Sequence, residues 1–167
     1  LLSSGNPLGD FKLRESLCKY LREFRAVNCS PSQIVIGAGI EYLLMLLSRI
    51  LLDNLIFAVE DPGYKKTRTI LQGGGRKLVY IPLDREGPKP SFLSVSGADI
   101  AYITPSNQFP TGIIMPVARR LELIGWANEK SHRYIIEDDY NSEFNFIGKP
   151  IPSLQGMDGG KVIYMST

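Results

Sequence analysis

Short apolar runs alternate along this chain with longer stretches of helical spacing, and no other feature constrains the fold as strongly. Such alternation is typical of βαβ units, in which helices cover both faces of a largely parallel sheet. The apolar runs predict strands over Ile34–Gly37, Leu55–Glu60, Lys77–Pro82, Asp99–Thr104, Tyr134–Asp138 and Lys161–Ser166. We therefore expect one α/β domain with three layers, α/β/α, and a mostly parallel sheet, which 167 residues are enough to build.

Helical spacing predicts four helices, over Phe11–Phe24, Glu41–Leu52, Tyr64–Leu71 and from Pro116 to just before Lys130. The second is apolar on nearly every side and is expected to be deeply buried. Two others should turn an apolar stripe toward the core. These stripes are Leu13, Leu17, Tyr20, Leu21 and Phe24 in the first helix and Val117, Leu121, Ile124 and Ala127 in the fourth. The segment Asp84–Ser94 is predicted to be an irregular, proline-rich excursion.

Composition excludes several classes of protein. With 44% hydrophobic and 22% charged residues, the chain does not match disordered or collagen-like proteins. Its longest apolar stretch is interrupted by Ser48 and Arg49 and is shorter than the ~20 residues that cross a bilayer, so no membrane contact is expected. The chain starts without a secretory signal pattern, and Cys18 and Cys29 fit structural thiols of a reducing compartment. We therefore expect a cytoplasmic protein.

Neither nucleic acid nor a metal ion is expected to bind this segment. The net charge is only +2, and the lysines and arginines are dispersed instead of forming a basic stripe. His132 is the only histidine and is expected at the surface, near a helix end. The carboxylates do not converge with other obvious metal ligands.

Ligands of open α/β sheets bind where strands end and loops lead into helices. The loop Gly37–Glu41 could bring helix amides close to a phosphate, although glycine at a strand end is common. It is neither a Walker loop nor a dinucleotide-binding fingerprint. In the next loop, Glu60–Tyr64, the ring of Tyr64 could stack on a planar heterocycle or simply pack at the start of a helix.

Two further loops place polar residues after buried strands. Thr104–Gly112 consists almost wholly of small, polar or turn-forming residues, and such a loop favours a binding site over a simple connection. The strand at Tyr134 ends in three consecutive acids, Glu137, Asp138 and Asp139. Buried carboxylates require a partner, which could be a metal ion, another cation or a protonated ring nitrogen.

Together these segments resemble fold type I enzymes that use pyridoxal 5′-phosphate (PLP). They are most similar to the aminotransferase-like domain of MocR-type regulators of the GntR family. The matching segments read GAGIEYLL, EDPGY, TPSNQFPTGIIMP, IIEDDYNSEF and VIYMST, after an opening stretch GNPLG. Their order is collinear with the family, and the likeness covers nearly the whole of residues 1–167. The resemblance thus implies part of the large, PLP-binding domain of fold type I.

The resemblance also implies roles for individual residues. Asp138 would lie against the pyridine nitrogen of PLP and keep it protonated, because a nearby carboxylate favours the cationic ring. Tyr140 would donate to the phenolic oxygen, and Tyr64 would stack on the ring. The phosphate would be held by backbone amides of Gly39 and Ile40 and by the hydroxyl of Thr167.

The chain departs from the family pattern at three places. Ile40 replaces a hydroxyl or amide side chain that many members direct at the phosphate. Aminotransferases usually read Asn-Pro-Thr-Gly where this chain has Phe109–Gly112, which favours a regulator, and Asn107 or Gln108 could replace the missing asparagine. The family continues with Phe-Ser-Lys after the last strand, so the Schiff-base lysine is expected beyond Thr167. We therefore expect no catalytic residue in this chain, and weak PLP binding or none.

Two functions remain open on this resemblance. The first is the sensory domain of a homodimeric transcription regulator, in which the PLP site detects a small amine or amino-acid effector. In that case a winged-helix domain preceding Leu1 would bind DNA, and a small domain would follow Thr167. The alternative is a fragment of an aminotransferase that acts on an amino acid and a 2-oxo acid. A hydrolase is disfavoured because the sequence has no Gly-x-Ser-x-Gly turn and His132 precedes a strand.

Overall fold

The sheet of this protein has six strands in the order β3-β2-β1-β4-β5-β6. It is seen in a computed structural model that describes residues 5–141 and 152–167. The strands are β1 (Ile56–Asp61), β2 (Lys77–Asp84), β3 (Gly87–Pro88), β4 (Ile100–Ile103), β5 (Tyr134–Asp138) and β6 (Val162–Met165). All neighbouring strands run parallel except the short β3, which pairs antiparallel with β2. Five of the predicted strands are thereby confirmed.

Helices pack against both faces of the sheet. They are α1 (Phe11–Arg25), α2 (Ile40–Ile50), α3 (Lys65–Gly73), α4 (Pro90–Val95), α5 (Val117–Asn128) and α6 (Leu154–Met157), with a 3-10 turn at Pro31–Gln33. Consecutive residues of one strand belong to different apolar clusters, because their side chains point to opposite faces of the sheet. Ala58 packs with Trp126 and Leu154, whereas Phe57 packs with Leu44 and Leu71. The predicted α/β/α arrangement is confirmed.

The parallel register brings several loops to one edge of the sheet. Val59 of β1 is level with Tyr102 of β4, Tyr102 is level with Ile136 of β5, and Asp138 is level with Met165 of β6. The carboxyl ends of these four strands therefore lie side by side. The loops that follow them are the ones in which the sequence places a binding site.

One predicted strand, Ile34–Gly37, is wrong. The segment is extended but joins no strand of the sheet; Ile36 donates its amide to the carbonyl of Leu8 at 2.9 Å. Val35 is 46% exposed, which a central parallel strand would not allow. A run of four apolar residues cannot by its pattern alone distinguish a buried strand from an extended segment packed beside the sheet.

The buried faces of three helices also differ from the prediction. In α1, Leu13 and Phe24 are exposed, and the buried side chains are Arg14, Cys18 and Arg25. Arg14 is buried because its guanidinium donates to the carbonyls of Gly9 and Pro31. The stripe that was expected to pack is therefore partly solvent-facing, and polar side chains anchor the helix instead.

Helix α2 is not deeply buried, and α5 is buried only in part. Leu44 and Ser48 are the buried residues of α2, whereas Ile50 is 79% exposed. In α5, Ile124 and Ala127 face the core as predicted, but Val117 and Leu121 are exposed. Both helices lie on the outside of a three-layer fold, so one face of each has no layer to pack against.

The remaining differences are small elements. Asp84–Ser94, predicted to be irregular, contains β3 and α4, and the four-residue α6 had no clear periodic signal. His132 lies at the surface as predicted, with Nε2 3.2 Å from an oxygen of Asp99. Cys18 and Cys29 are free thiols 4.0 Å apart. Among the described residues, no helix is long and apolar enough to cross a membrane.

Candidate cofactor-binding site

A cavity of about 510 Å³ opens at the carboxyl edge of the sheet. It is lined by residues from the start of α2 and from the loops after β1, β4, β5 and β6. These residues are Ala38, Gly39, Ile40, Glu41, Tyr64, Thr104, Phe109, Asp138, Tyr140 and Thr167. Six of the seven predicted cofactor residues thus share one cavity. The seventh, Asn107, does not line it but contacts a residue that does.

Asp138 is the buried acid of this cavity. Asp138 is only 4% exposed. Its Oδ2 accepts a hydrogen bond from the hydroxyl of Tyr102, whereas its Oδ1 is buried and has no partner among the described residues. Burial raises the pKa of Asp138 to about 6, although the bond from Tyr102 acts in the opposite direction. A buried carboxylate oxygen without a donor is costly. The site therefore fits a ligand that brings a cationic N–H, which the protonated ring of PLP would supply.

Asp139 has a different environment from its neighbour, because successive strand side chains point to opposite faces. Its Oδ2 accepts from Nε of Arg25 at 2.7 Å and from the hydroxyl of Tyr164 at 2.5 Å. Arg25, from the end of α1, also donates to the hydroxyl of Ser106. Asp139 is therefore a structural acid: it holds Arg25, and Arg25 ties α1 to the loop after β4.

The hydroxyl of Tyr140 is fixed by Asn107. The side-chain amide of Asn107 donates to this hydroxyl at 3.3 Å, and the hydroxyl donates to the carbonyl of Asn107 at 3.0 Å. Burial, together with the charges of Asp138 and Glu60, raises the pKa of Tyr140, so the phenol keeps its proton. Asn107 thus acts on the cavity through Tyr140.

Two aromatic rings form one wall of the cavity. Tyr64 and Phe109 meet edge to face, with ring centroids 5.8 Å apart and an interplanar angle of 85°. The hydroxyl of Tyr64 donates to a carboxylate oxygen of Glu41 at 3.3 Å, and Nζ of Lys66 pairs with the same oxygen at 2.7 Å. These contacts hold the start of α3 against the start of α2 and keep Tyr64 at the wall of the cavity.

The start of α2 has the backbone form expected of an anion site. Gly39 is the N-cap residue with φ of +91°, a conformation that other residues adopt only with strain. A Cβ built on Gly39 would meet no atom within 4 Å, so the backbone is open to the cavity. The first amides of a helix lack partners within the helix. Gly39 and Ile40 can therefore present N–H groups to a phosphate.

Sequence reasoning missed a buried polar cluster that supports these loops. Glu60 accepts hydrogen bonds from the amide and hydroxyl of Thr104 and from the side chain of Gln108, at 2.6 to 3.1 Å. Gln108 also donates to the carbonyl of Pro62, so it cannot replace the missing asparagine near Tyr140. The available signals were an acid within the apolar strand β1 and a tyrosine, Tyr102, within the apolar strand β4.

Comparison with known proteins finds relatives that match nearly the whole chain in sequence. The HTH-type transcriptional regulator YdeL of Bacillus subtilis is 42% identical over 168 residues, covering 100% of this chain and 36% of that protein. The probable rhizopine catabolism regulatory protein MocR of Rhizobium meliloti is 37% identical over 166 residues, covering 98% of the chain and 33% of that protein. The chain belongs to the MocR-type regulators of the GntR family. No family model matches it.

The MocR-type chain has the fold of aminotransferases. It superposes on the crystal structure of the kynurenine aminotransferase of Pyrococcus horikoshii, solved in complex with PMP, with a TM-score of 0.87 and 29% identity. The match covers 99% of this chain and 43% of that enzyme. The chain therefore has the fold of part of the large domain of fold type I, and it spans about a third of the length of its curated relatives.

The family motifs fall on the described edge of the sheet with one exception. The block IIEDDYNSEF extends past Asn141 into residues 142–144, which lie outside the described residues. Phe109, the departure that favours a regulator, lines the cavity and contacts Tyr64.

Proposed function

We propose that this chain forms the PLP-holding part of the effector-sensing domain of a MocR-type transcription regulator. One observation carries the proposal: the partnerless Oδ1 of Asp138 belongs to a residue that lines a cavity shared with Tyr64 and Gly39. An acid, an aromatic ring and a helix start match the three parts of PLP, which are a pyridinium, a flat ring and a phosphate.

The residues divide between these three parts. Asp138 would accept from the ring nitrogen, and Tyr64 would stack on the ring face. Tyr140 would keep the bond from the side-chain amide of Asn107 and turn its own hydroxyl proton from the carbonyl of Asn107 to the phenolic oxygen. Gly39, Ile40 and Thr167 would hold the phosphate. Ile40 offers only its backbone amide, and the hydroxyl of Thr167, which donates to the carbonyl of Tyr140 at 3.2 Å, would turn to the phosphate. When bound, PLP supplies an electron-withdrawing ring and an aldehyde that reacts with amines.

Regulation is proposed from the relatives. Both regulators described above are about three times as long as the matched region. We propose that their helix-turn-helix part binds DNA and that two copies of the aminotransferase-like part form a homodimer. The effector would be a small amine or amino acid, because the aldehyde of PLP reacts with amines.

An aminotransferase is the second candidate. The superposition on an aminotransferase over 99% of the chain favours it. Phe109, which stands where aminotransferases usually have asparagine, argues against it. The two candidates share the cofactor site and differ in what the rest of the protein does with it.

Binding of pyridoxine 5′-phosphate tests the shared part of the proposal. This ligand has the ring and phosphate of PLP but an alcohol instead of the aldehyde, so it cannot form Schiff bases with surface lysines. We expect weak, saturable binding to the chain by isothermal titration calorimetry, reduced about tenfold or more in Asp138→Asn.

The matched control is Asp53→Asn, since the side chain of Asp53 is fully exposed. It should bind as the unmodified chain does. If both variants lost affinity equally, the assignment of the site would be wrong.

A further inference from the structure

The side chain of Tyr102 is buried beside the proposed ring-binding cavity. It lies on β4, between β1 and β5, and only 4% of the residue is exposed. A buried tyrosine usually needs a hydrogen-bond partner for its hydroxyl. That partner is Asp138, whose Oδ2 accepts the bond.

This bond leaves the two oxygens of Asp138 in different states. Oδ2 is held by Tyr102, whereas Oδ1 has no partner among the described residues. A carboxylate held at one oxygen keeps its orientation, so the other oxygen has a fixed position for an incoming donor.

We propose that Tyr102 is a positioning residue, which holds Asp138 so that Oδ1 meets the ring nitrogen of a bound pyridine and the shared proton stays on the ring. This inference rests on the proposed function. It concerns a residue that does not line the large cavity and that would not touch the ligand.

The hydrogen bond from Tyr102 influences whether the shared proton lies on the ring nitrogen or on Asp138. A hydrogen bond to the charged form favours that form, and here it opposes the burial that raises the pKa of Asp138. Tyr102 itself stays protonated, because burial and the charge of Asp138 raise its pKa well above the usual range. Without the hydroxyl of Tyr102, nothing would oppose the effect of burial, which raises the pKa of Asp138. The proton would then move from the ring nitrogen toward Asp138.

Other charged groups around Asp138 do not supply this effect. Asp139, the residue that follows β5, raises the pKa of Asp138, and its own charge is paired with Arg25. Glu60 on β1 acts on the hydroxyls of Tyr102 and Tyr140 through its charge. Of the causes that act on the pKa of Asp138, the bond from Tyr102 is the one that lowers it.

The test measures the protonation of the ligand's ring nitrogen. Nitrogen NMR monitors it on labelled pyridoxine 5′-phosphate at saturating concentration. In the unmodified chain the bound ring should stay protonated to a higher pH than the free ligand. In Tyr102→Phe we expect this apparent pKa of the ring to fall by about one unit.

Tyr164→Phe is the matched control, because the hydroxyl of Tyr164 makes the same kind of bond to the neighbouring acid, Asp139. It should leave the titration of the ring unchanged. An unchanged titration in Tyr102→Phe, with the ring still protonated by the unmodified chain, would overturn the role of Tyr102 and leave the proposed function standing. A bound ring that titrates like the free ligand in the unmodified chain would overturn the proposed function itself.

A second variant covers the case in which Tyr102→Phe does not fold. Thr67 hydrogen-bonds the hydroxyl of Tyr102 and lowers its pKa, which makes Tyr102 a better donor. Thr67→Val preserves the shape of this side chain and removes its hydroxyl. We expect a smaller fall of the ring's apparent pKa in the same direction, and a rise would contradict the proposal.

Discussion

Asp138 and Asp139 are consecutive acids with opposite surroundings. In both residues Oδ1 has no hydrogen-bond partner among the described residues, but only Asp139 forms an ion pair there, with Arg25, in which both side chains are at most 7% exposed. Breaking a buried ion pair leaves an uncompensated charge, whereas neutralising a buried acid without a cationic partner removes an unfavourable one. The two positions should therefore respond differently to the same substitution.

We predict that Asp139→Asn lowers the free energy of unfolding by about 3 kcal/mol, because Arg25 loses its charged partner. Asp138→Asn should leave that free energy unchanged or raise it, while weakening the binding of pyridoxine 5′-phosphate. Urea unfolding and calorimetric titration of both variants measure the two quantities. Equal losses of stability would show that the bond from Tyr102 makes the charge of Asp138 as important to the fold as the ion pair of Asp139.

Glu60 gives the chain a pH-dependent stability. Burial raises its pKa to about 7 against the hydrogen bonds from Thr104 and Gln108. An unfolded glutamate ionises near pH 4.5. Between these two values the folded state keeps a proton that the unfolded state has released, so the free energy of unfolding falls as the pH rises from 4.5 to 7 and levels off above it.

We predict that Glu60→Gln makes this decline shallower, because glutamine has no proton to release. Urea unfolding at several pH values across the window measures the slope in both proteins. Asp138 and Glu137, whose pKa values are also raised, contribute equally to both slopes. Parallel slopes would mean that Glu60 ionises as easily in the folded chain as in the unfolded one.

At the scale of elements, Gln108 connects the loops after β1 and β4. Its side-chain amide donates to the carbonyl of Pro62 at 3.0 Å and to Glu60 at 3.1 Å, and its oxygen accepts from the hydroxyl of Thr111 at 2.5 Å. The residue is 2% exposed, so water cannot replace these contacts. The loops that carry Tyr64 and Phe109 are thereby held together.

We predict that Gln108→Ala destabilises the chain by about 2 to 3 kcal/mol, because several buried groups lose their partner. Amide hydrogen exchange should accelerate in both loops, at Gly63 and Gly112, before it accelerates in β5. Gln72→Ala, on the exposed side of α3, is the control and should change neither quantity. Faster exchange confined to the loop after β4 would contradict a connection between the two loops.

At the scale of the whole molecule, the sheet separates two apolar clusters that share every central strand. Leu71 of α3 packs on one face with Phe57, and Trp126 of α5 packs on the other with Ala58. Because Phe57 and Ala58 are consecutive residues of β1, loss of packing on one face should disturb the strand that supports the other.

We predict that Leu71→Ala costs about 2 to 5 kcal/mol and lowers the unfolding midpoint reported by the fluorescence of Trp126, on the opposite face. Circular dichroism should give the same midpoint, as expected for one cooperative unit. Val95→Ala serves as the control, since Val95 is 82% exposed. A fluorescence midpoint that did not move would show that the two faces unfold separately.

The candidate site was predicted from sequence to a large extent. Tyr64, Asp138 and Tyr140 follow predicted strands, and the carboxyl ends of parallel strands meet at one edge, so order along the chain was enough to bring them together. Asn107 was predicted as a cofactor residue, and its place behind Tyr140 was not foreseen, because that contact depends on how two loops fold against each other. Tyr102 and Glu60 were missed, and Gln108 was given the wrong role, because partners of buried polar groups come from distant parts of the chain.

The sequence alone determined the period of each segment, and with it the α/β class, five strands and the edge at which ligands bind, because these follow from local patterns of apolar residues. Only the tertiary structure decided which face of each helix is buried, whether Ile34–Gly37 joins the sheet, and which of two consecutive acids lines the cavity. Those outcomes depend on what packs against each residue, and a residue's neighbours in space are not its neighbours in sequence.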